Sequence, residues 1–311
     1  MGEVTMEHHT TKPIINKNVI LRMISSIVVV LLASLAFSPI MPITHVAAQS
    51  DQNGLFEQSA RVILRKDFSD PDLSYLLMDA RTGSVIAERW NDDEQSVPGG
   101  SLVKPFTALA YADVHHGTYP KFDCKGNAGN CWLPQGHGHL GIEKAIAQSC
   151  NAYFRQLASD ISVEQFNATM KQFGLMDAHA IDADGMIGRG SAWQMTPVAL
   201  GHAYLQLIER RKEQSVADVL DGMARSAQAG TGSALKHRLN SESALAKTGT
   251  AVCTHERKAP GDGFTVAMVP ADSPRLLLLV RMHGVPGARA ADTAGRILAQ
   301  LEYIHADAST H

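Results

Sequence analysis

The chain has 311 residues, which is enough for one large domain or two small ones. Hydrophobic residues make up 45% of the sequence and charged residues 19%, a balance typical of a packed globular protein rather than a disordered one. The 28 Lys and Arg residues are offset by 31 Asp and Glu residues, so no strongly basic surface is expected and nucleic acid is excluded as a partner.

The first 50 residues have the pattern of an export signal. Basic side chains precede an apolar stretch, Met23–Ile43, and the small residues Val46–Ala48 follow it. A basic N-terminal region, an apolar middle and small residues at a cleavage site are the features of an export signal. Residues 1–50 are therefore interpreted as an export signal, which is either cleaved after Ala48 or retained as a single membrane anchor. In both cases residues 51–311 are expected outside the cytoplasmic membrane.

The next segment predicts a short helix and then a hairpin. Residues 51–72 are polar, with apolar residues at helical spacing over Leu55–Leu64. LSYLLMDARTGSVIAERW, which begins at Leu73, contains two β-like runs around a turn at Thr82-Gly83. Alternating apolar runs on either side of such a turn predict two paired strands.

Helices dominate the middle of the chain. Residues 117–142 are rich in Gly, Asn and Pro and predict a long loop. On both sides of this loop, apolar residues recur at helical spacing. The predicted helices are Ser101–His116, Ile142–Ser159, Val163–Phe173, Thr196–Arg210 and Val216–Ala227.

The apolar period changes again from Ala244. Three short β-like runs, ALAKTGTAVC, GFTVAMVP and RLLLLVRM, are separated by Gly, Pro and Asp. A last helix is predicted over Ala288–Ile304. Strands at both ends with helices between them predict an α+β domain, in which distant segments form one sheet and a helical lobe is inserted.

The exported part contains four cysteines: Cys124, Cys131, Cys150 and Cys253. Cys124 and Cys131 flank the loop KGNAGN, and an exported protein meets oxidising conditions, so a disulfide between these two is predicted. Neither CxxC nor a paired HxxxH appears, and the two histidines of HGH, His137 and His139, do not make a site alone. No metal or cofactor is predicted, and the Cys150 side chain is expected to be buried and to pack in the core.

The stretch VPGGSLVKPF indicates a nucleophile and its base. Ser101 opens a predicted helix, and Lys104 follows three residues later on the same face. A serine hydroxyl is a poor nucleophile unless a base takes its proton, and a lysine can do so when burial leaves it neutral. The alternative is an ordinary helix start, since the same spacing recurs at Ser233 and Lys236.

Two further motifs favour the nucleophile and base over an ordinary helix start. AQSCNAYF contains Ser149 and Asn151, and ALAKTGTA contains the run from Lys247 to Thr250. The set S-x-x-K, S-D-N and K-T-G, in this order, is the signature of serine β-lactamases and penicillin-binding proteins. Here the middle motif is Ser-Cys-Asn.

The chain resembles the transpeptidase domain of penicillin-binding proteins from about Leu55 to Ile304. Beyond the motifs, the resemblance rests on GHGHLGIEKAIAQSCNAYFRQLA, IGRGSAWQMTPVALGHAYLQL and LDGMARSAQAGTGSAL. It implies an α+β fold, with an antiparallel five-stranded sheet flanked by helices and an inserted all-helical lobe. Residues 51–311 are then one transpeptidase-like domain.

The resemblance also implies acyl transfer through a covalent serine ester. Ser101 would attack the carbonyl of a peptide ending in D-alanyl-D-alanine, and Lys104 would take its proton. Ser149 would relay protons to the leaving amine, and Asn151 would hold Lys104 and the substrate amide.

The third motif is implied to bind the substrate. Lys247, Thr248 and Thr250 would hold its terminal carboxylate, and Gly249 would leave room for the peptide to lie along the strand. The backbone amides of Ser101 and Thr250 would form the oxyanion hole.

Several functions are compatible with these residues. Peptidoglycan stem peptides are the implied substrates of a D,D-transpeptidase, with β-lactams as inhibitors. A D,D-carboxypeptidase would share every catalytic residue. A serine β-lactamase would need a group that activates water; no matching ExxxN segment is found, which leaves a carboxylated Lys104 as the alternative for that role. A non-catalytic β-lactam sensor or cell-wall scaffold is the third alternative. Residues 51–72 are too short for a glycan-polymerising or docking domain, so any such partner is expected to be a separate protein.

Overall fold

The computed structural model describes residues 44–90, 96–175, 182–240, 243–253 and 256–308, with side chains described outside 44–53 and 303–308. The predicted export signal lies mostly outside these ranges. Within them, no helix has the length and apolar character needed to cross a membrane. The chain divides into two compact units, Met1–Asp51 and Gln52–His311, and the second contains the features that follow.

The strands of the main sheet come from the early and late parts of the second unit, and most of its helices lie between them. The strands are β1 (Leu73–Asp79), β2 (Val85–Arg89), β3 (Val97–Pro98), β4 (Phe122–Cys124), β5 (Gly138–Leu140), β6 (Gln194–Met195), β7 (Leu245–Ala251), β8 (Asp262–Val269) and β9 (Leu276–Met282). The helices are α1 (Thr44–Asp67), α2 (Lys104–Val114), α3 (Ile142–Ala147), α4 (Asn151–Ser159), α5 (Val163–Gln172), α6 (Ala183–Met186), α7 (Pro197–Glu209), α8 (Gln214–Ala229), α9 (Ala234–Arg238) and α10 (Gly287–Ala308). Short 3₁₀ turns span Gly100–Val103 and Gly126–Gly129.

The main sheet has five antiparallel strands in the order β2-β1-β9-β8-β7. The first predicted hairpin forms β1 and β2, and the three C-terminal runs form β7, β8 and β9. These findings confirm the α+β class and the helical lobe inserted between distant strands. Because β7 is an edge strand, one side of its backbone is free to meet the segment that carries Ser101.

Both faces of the sheet are covered by apolar side chains. Successive residues of a strand point to opposite faces. Leu76 and Met78 of β1 accordingly pack into the core of the helical lobe. Leu77, which lies between them, packs with Leu64 of α1 and Ile297 of α10 in a second core on the other face. The sheet is therefore the middle layer of three.

Three local predictions differ from the structure. The short helix predicted over Leu55–Leu64 is longer, since α1 spans Thr44–Asp67. The helix predicted over Ile142–Ser159 is broken into α3 and α4, because Ser149 has a left-handed backbone with φ of 50°. The loop predicted over residues 117–142 contains a small ribbon in which Cys124 of β4 pairs with Gly138 of β5. The break and the ribbon lie beside the segment that contains Asn151.

An aromatic cluster fixes helix α2 in the lobe. The fully buried ring of Phe106 makes edge-to-face contacts with Phe173 and Tyr204, at centroid distances of 5.2 and 5.4 Å. The hydroxyl of Tyr204 donates a hydrogen bond to the carbonyl oxygen of Leu102, at 2.8 Å. The cluster therefore holds both α2 and the 3₁₀ turn that precedes it.

We expect Phe106→Ala to lower the free energy of unfolding by about 3–5 kcal/mol, because truncation leaves a cavity between two rings. Denaturant unfolding followed by circular dichroism measures this loss. Leu55→Ala is the matched control, since that side chain is 62% exposed and its truncation should change stability by no more than about 0.5 kcal/mol. Equal effects of the two changes would contradict the assigned role of Phe106.

Candidate active site

Ser101 lies on the 3₁₀ turn that leads directly into α2, and its side chain is half-buried. The preceding residue, Gly100, has φ of 55°, and a Cβ atom there would stand 2.6 Å from the carbonyl oxygen of Thr250. Only glycine tolerates both the backbone angle and this approach. The two-glycine sequence before Ser101 therefore allows the turn to pack against the free side of β7.

Lys104 is fully buried at the start of α2. Its amine donates to the carbonyl oxygen of Ser149 at 2.8 Å, to the Ser149 hydroxyl at 3.3 Å and to Oδ1 of Asn151 at 2.6 Å. Among the residues that the structure describes, the Ser101 hydroxyl makes no hydrogen bond to this amine. Catalytic hydrogen bonds often tighten only when substrate is bound, so the lack of this bond without substrate does not remove Lys104 as a candidate base.

Lys247 reaches the same point from β7. Its amine donates to the Ser149 hydroxyl at 3.0 Å and to the carbonyl oxygen of Thr248 at 2.6 Å, and the side chain has no exposed surface. The Ser149 hydroxyl thus lies between the amines of Lys104 and Lys247. Three motifs that are far apart in sequence meet at this oxygen.

Burial changes the acidity of both amines. Burial lowers the pKa of Lys104 to about 7, although the nearby thiol of Cys150 opposes the change. Burial also lowers the pKa of Lys247 well below its usual range, and the adjacent Lys104 lowers it further. Two ammonium groups that share one hydroxyl disfavour each other's charge. The pair therefore supplies a neutral amine near neutral pH, which is what a base for a serine requires.

Of the four residues of the third motif, Thr250 alone is exposed. Its Oγ1 accepts a hydrogen bond from the backbone N–H of Gly287 at 3.0 Å, which leaves its own proton available for a ligand. Thr248 is buried, and its hydroxyl donates to Thr231 at 2.6 Å. Because Lys247 is also enclosed, Thr250 is the residue of this motif whose side chain a ligand can reach directly.

Gly249 faces the turn that carries the nucleophile. A Cβ atom there would lie 2.7 Å from the carbonyl oxygen of Gly99 and 3.3 Å from the backbone nitrogen of Leu102. The resemblance implied that this glycine leaves room for substrate. The structure gives a different physical reason for glycine here, which is close packing between β7 and the 3₁₀ turn.

Two residues at the site were not singled out from the sequence. Thr231, the partner of Thr248, lies in the Gly-Thr-Gly sequence of residues 230–232. The resemblance of the segment LDGMARSAQAGTGSAL to the family was the feature of the sequence that pointed to it. Trp132 donates its indole N–H to the carbonyl oxygens of Gln148 and Ser149, both at 3.2 Å. No pattern indicates Trp132, because its contact depends on how the loop folds back.

The disulfide expected between Cys124 and Cys131 is absent from the structure, where both are free thiols. Cys131 instead faces the α3–α4 break, where its Sγ lies 3.8 Å from Cys150 Sγ. With His137, these three cysteines form a group whose four ligand atoms lie within 4.8 Å of one another. They are the described residues beside the active site that could hold a metal ion.

A second such group contains Cys253, Asp262 and His283, at the far end of β7 and β8. Here Nδ1 of His283 lies 2.7 Å from Oδ1 of Asp262, in a buried carboxylate–imidazole pair. The Cys253 thiol donates to the same oxygen at 3.2 Å and to the carbonyl oxygen of Lys258 at 3.3 Å. These hydrogen bonds explain why the three side chains lie close together without a metal ion.

A family model, "Penicillin binding protein transpeptidase domain", matches residues 73–301. The chain belongs to this family. The peptidoglycan D,D-transpeptidase MrdA of Acinetobacter baumannii is 31% identical to this transpeptidase domain over 96 residues, which are 27% of this chain and 14% of that relative. The chain thus matches only a small part of that relative's length.

Solved penicillin-binding proteins share the fold of this transpeptidase domain. Pseudomonas aeruginosa PBP2 in complex with WCK 5153 has a TM-score of 0.66 at 18% identity, covering 80% of this chain and 73% of that one. Helicobacter pylori PBP2 in complex with MreC has a TM-score of 0.64 at 16% identity, covering 80% and 62%. The transpeptidase domain of Burkholderia pseudomallei penicillin-binding protein 3 has a TM-score of 0.63 at 16% identity, covering 82% and 93%.

We expect Gly249→Ala to destabilise the transpeptidase domain by about 1–3 kcal/mol, because the added methyl group would force the 3₁₀ turn away from β7. Gly54→Ala is the matched control. Nothing lies within 4 Å of a Cβ atom at Gly54, which is in helix α1, so this change should stabilise by about 0.5–1 kcal/mol. Denaturant midpoints measure both effects, and the same sign for the two variants would contradict the packing assigned to Gly249.

Proposed function

We propose that this domain is a penicillin-binding D,D-transpeptidase, which cross-links peptidoglycan stem peptides through an acyl-serine intermediate. One observation carries the proposal. The Ser149 hydroxyl receives hydrogen bonds from the amines of both Lys104 and Lys247, and Lys104 follows the half-exposed Ser101 by one turn of the chain. This arrangement provides a nucleophile, a neutral base and a proton relay in one place.

In the first step, the hydroxyl oxygen of Ser101 attacks the carbonyl carbon between the two terminal D-alanines. Its proton passes to the neutral amine of Lys104, and an oxyanion forms on the substrate oxygen. The backbone amides of Ser101 and Thr250 are assigned as the donors that stabilise this oxyanion. The close approach of Gly100 to Thr250 supports the assignment, because it brings the two backbones together.

The proton then leaves with the terminal D-alanine. Ser149 contacts Lys104 directly, so a proton held on that amine can pass through its hydroxyl to the departing nitrogen. The acyl-serine that remains is attacked by the amine of a second stem peptide. Ser101 then regains its proton along the same path in reverse.

The substrate's terminal carboxylate is assigned to the region around Thr250. This residue has an exposed side chain and a hydroxyl proton available for a ligand. Asn151 holds Lys104 through its side-chain oxygen at 2.6 Å, and this leaves its amide nitrogen to contact the substrate backbone.

Transfer to an amine is favoured over fast hydrolysis. In the described part of the chain, no carboxylate is hydrogen-bonded to Lys104, Ser149, Asn151 or Lys247. A β-lactamase needs a base that activates water to release the acyl group. Because no described carboxylate is placed there to activate water, we expect the acyl-enzyme to last long enough for an acceptor amine and β-lactams to act as inhibitors.

The cellular setting belongs to the same proposal. Residues 1–50 are assigned as an export signal or anchor, which places the domain in the periplasm or on the outer face of the cytoplasmic membrane. A cell-wall partner protein is included because the Helicobacter pylori PBP2 of similar fold was solved in complex with MreC.

We expect a fluorescent penicillin to label the protein durably, and Ser101→Ala to reduce the labelling rate by about a thousandfold or more, since the ester can form nowhere else. Ser233→Ala is the matched control, because it alters the other Ser/Lys pair of the sequence and should label normally. Rapid loss of label would indicate a β-lactamase. Absence of label in the unchanged protein would indicate a scaffold or sensor.

Products distinguish transfer from trimming once labelling is established. Purified stem peptides with an added acceptor amine should yield a cross-linked peptide that mass analysis identifies. Release of D-alanine without any cross-linked product would replace the transpeptidase assignment with a D,D-carboxypeptidase.

We expect the acylation rate to rise with pH through about 7 and then to level off, because Lys104, whose pKa is about 7, acts as a base only when neutral. Labelling rates across this interval give the midpoint. Asn151→Asp should move the midpoint upward by about one to three units, since a carboxylate beside the amine favours its charged form. A rate that falls with pH, or an unmoved midpoint, would contradict Lys104 as the base.

A further inference from the structure

Three sulfur atoms and one imidazole nitrogen meet in the interior beside the active-site turn. Cys131 Sγ lies 3.8 Å from Cys150 Sγ and 3.4 Å from Nδ1 of His137, and the same nitrogen lies 3.6 Å from Cys124 Sγ. All four atoms lie within 4.8 Å of one another. They belong to segments that come together only in the folded chain.

These distances match the edges of a zinc tetrahedron. With Zn–S bonds of about 2.3 Å and a Zn–N bond of about 2.0 Å, two sulfurs lie about 3.8 Å apart and a sulfur and a nitrogen about 3.5 Å apart. Three of the six distances between the four ligand atoms are 3.8, 3.6 and 3.4 Å, and the other three do not exceed 4.8 Å. Packing of thiols alone does not require four ligand atoms to lie within 4.8 Å of one another.

The local backbone is shaped to bring the ligands together. Cys124 ends β4, and His137 immediately precedes its pairing partner on β5, Gly138. The loop between them folds back tightly at Gly126 and Gly136, with φ of 67° and 81°. A Cβ atom at either glycine would collide with the backbone of the opposite side of the loop. This closure carries Cys131 inward to the other two ligands.

The fourth ligand comes from the break between α3 and α4. Cys150 is completely buried, and Cys124 and Cys131 are exposed by only 3% and 6%. Four protein ligands with no open position are typical of a structural zinc site rather than a catalytic one.

We propose that Cys124, Cys131, His137 and Cys150 bind one Zn²⁺ ion in a closed tetrahedral site, which fixes the turn that presents Ser149 and Asn151 to Lys104. We assign zinc because a tetrahedron of thiolate and imidazole ligands favours it over cations that prefer oxygen ligands, such as Mg²⁺ and Ca²⁺. The binding site stands independently of the proposed function, whereas its effect on the turn rests on that function.

The connection to the active site is short and covalent. Cys150 lies between Ser149 and Asn151, the two residues whose oxygen atoms accept from the Lys104 amine. Ser149 has a left-handed backbone that a non-glycine residue adopts at a cost. An ion that holds Cys150 in place maintains this turn, and its loss allows the turn to relax.

Metal content is the direct measurement. The full chain, produced without a polyhistidine tag and purified without chelators, should contain about one zinc per molecule by elemental mass spectrometry. Removal by a strong chelator should lower the thermal unfolding midpoint, and Zn²⁺ but not Mg²⁺ should restore it. Cobalt in place of zinc should give the sulfur-to-metal charge-transfer absorption of a thiolate site. Zinc-free protein that neither binds added Zn²⁺ nor gains stability would overturn the proposal.

Variants locate the ion. Cys150→Ser and His137→Ala should each lose the zinc, whereas His137→Cys should retain it, because it preserves four ligands. His137→Cys therefore also controls for general damage to the fold. Cys253→Ser should keep its zinc, since that thiol belongs to the other group of ligand atoms. Loss of zinc in Cys253→Ser with retention in Cys150→Ser would overturn the assignment.

The effect on the turn is tested with fluorescent penicillin. Zinc-free protein that remains folded by circular dichroism should be acylated about ten- to a hundredfold more slowly than the zinc-loaded form, because misplacement of about 1 Å has effects of this order. Equal rates in both forms would overturn the positioning role. If the zinc-loaded protein is not labelled either, the proposed acyl transfer fails and the zinc site stands.

Discussion

The hydroxyl of Ser149 is the point on which the rest of the site depends. It accepts hydrogen bonds from two lysine amines, one from the start of α2 and one from the edge strand β7. Burying either amine is unfavourable unless its donors find acceptors. Ser149 and its neighbour Asn151 supply most of these acceptors, so the lobe and the sheet must meet at this oxygen for the site to exist.

Much of the fold follows from the sequence because its cause is periodic. The hairpin of β1 and β2, the strands β7 to β9 and most helices have apolar residues at the spacing that each element buries. The break at Ser149 does not follow, since apolar residues continue at helical spacing across it. Its left-handed backbone is stabilised by contacts from Lys104 and Trp132, which are distant in sequence.

The site divides in the same way. Ser101, Lys104 and Lys247 were predictable because their residue types and order carry the chemistry. The contact role of Gly249 was not, since a glycine shows only that a side chain is absent and not what occupies its place. The Cys and His cluster was missed for a related reason. Its spacing of six, five and twelve intervening residues matches no compact zinc pattern, and Cys150 joins it only through tertiary folding.

The pairing of β1 with β9 affects how the chain matures. Leu73 lies opposite Met282, so the central strand pair closes a loop of roughly two hundred residues, which makes its formation costly in entropy and slow. After the hairpin of β1 and β2 forms, the other edge of β1 stays unpaired until β9, near the end of the domain, is in place. Such an edge is a template for pairing with other chains. This topology therefore exposes the hairpin to pairing with other chains for longer than a sheet built from neighbouring segments would.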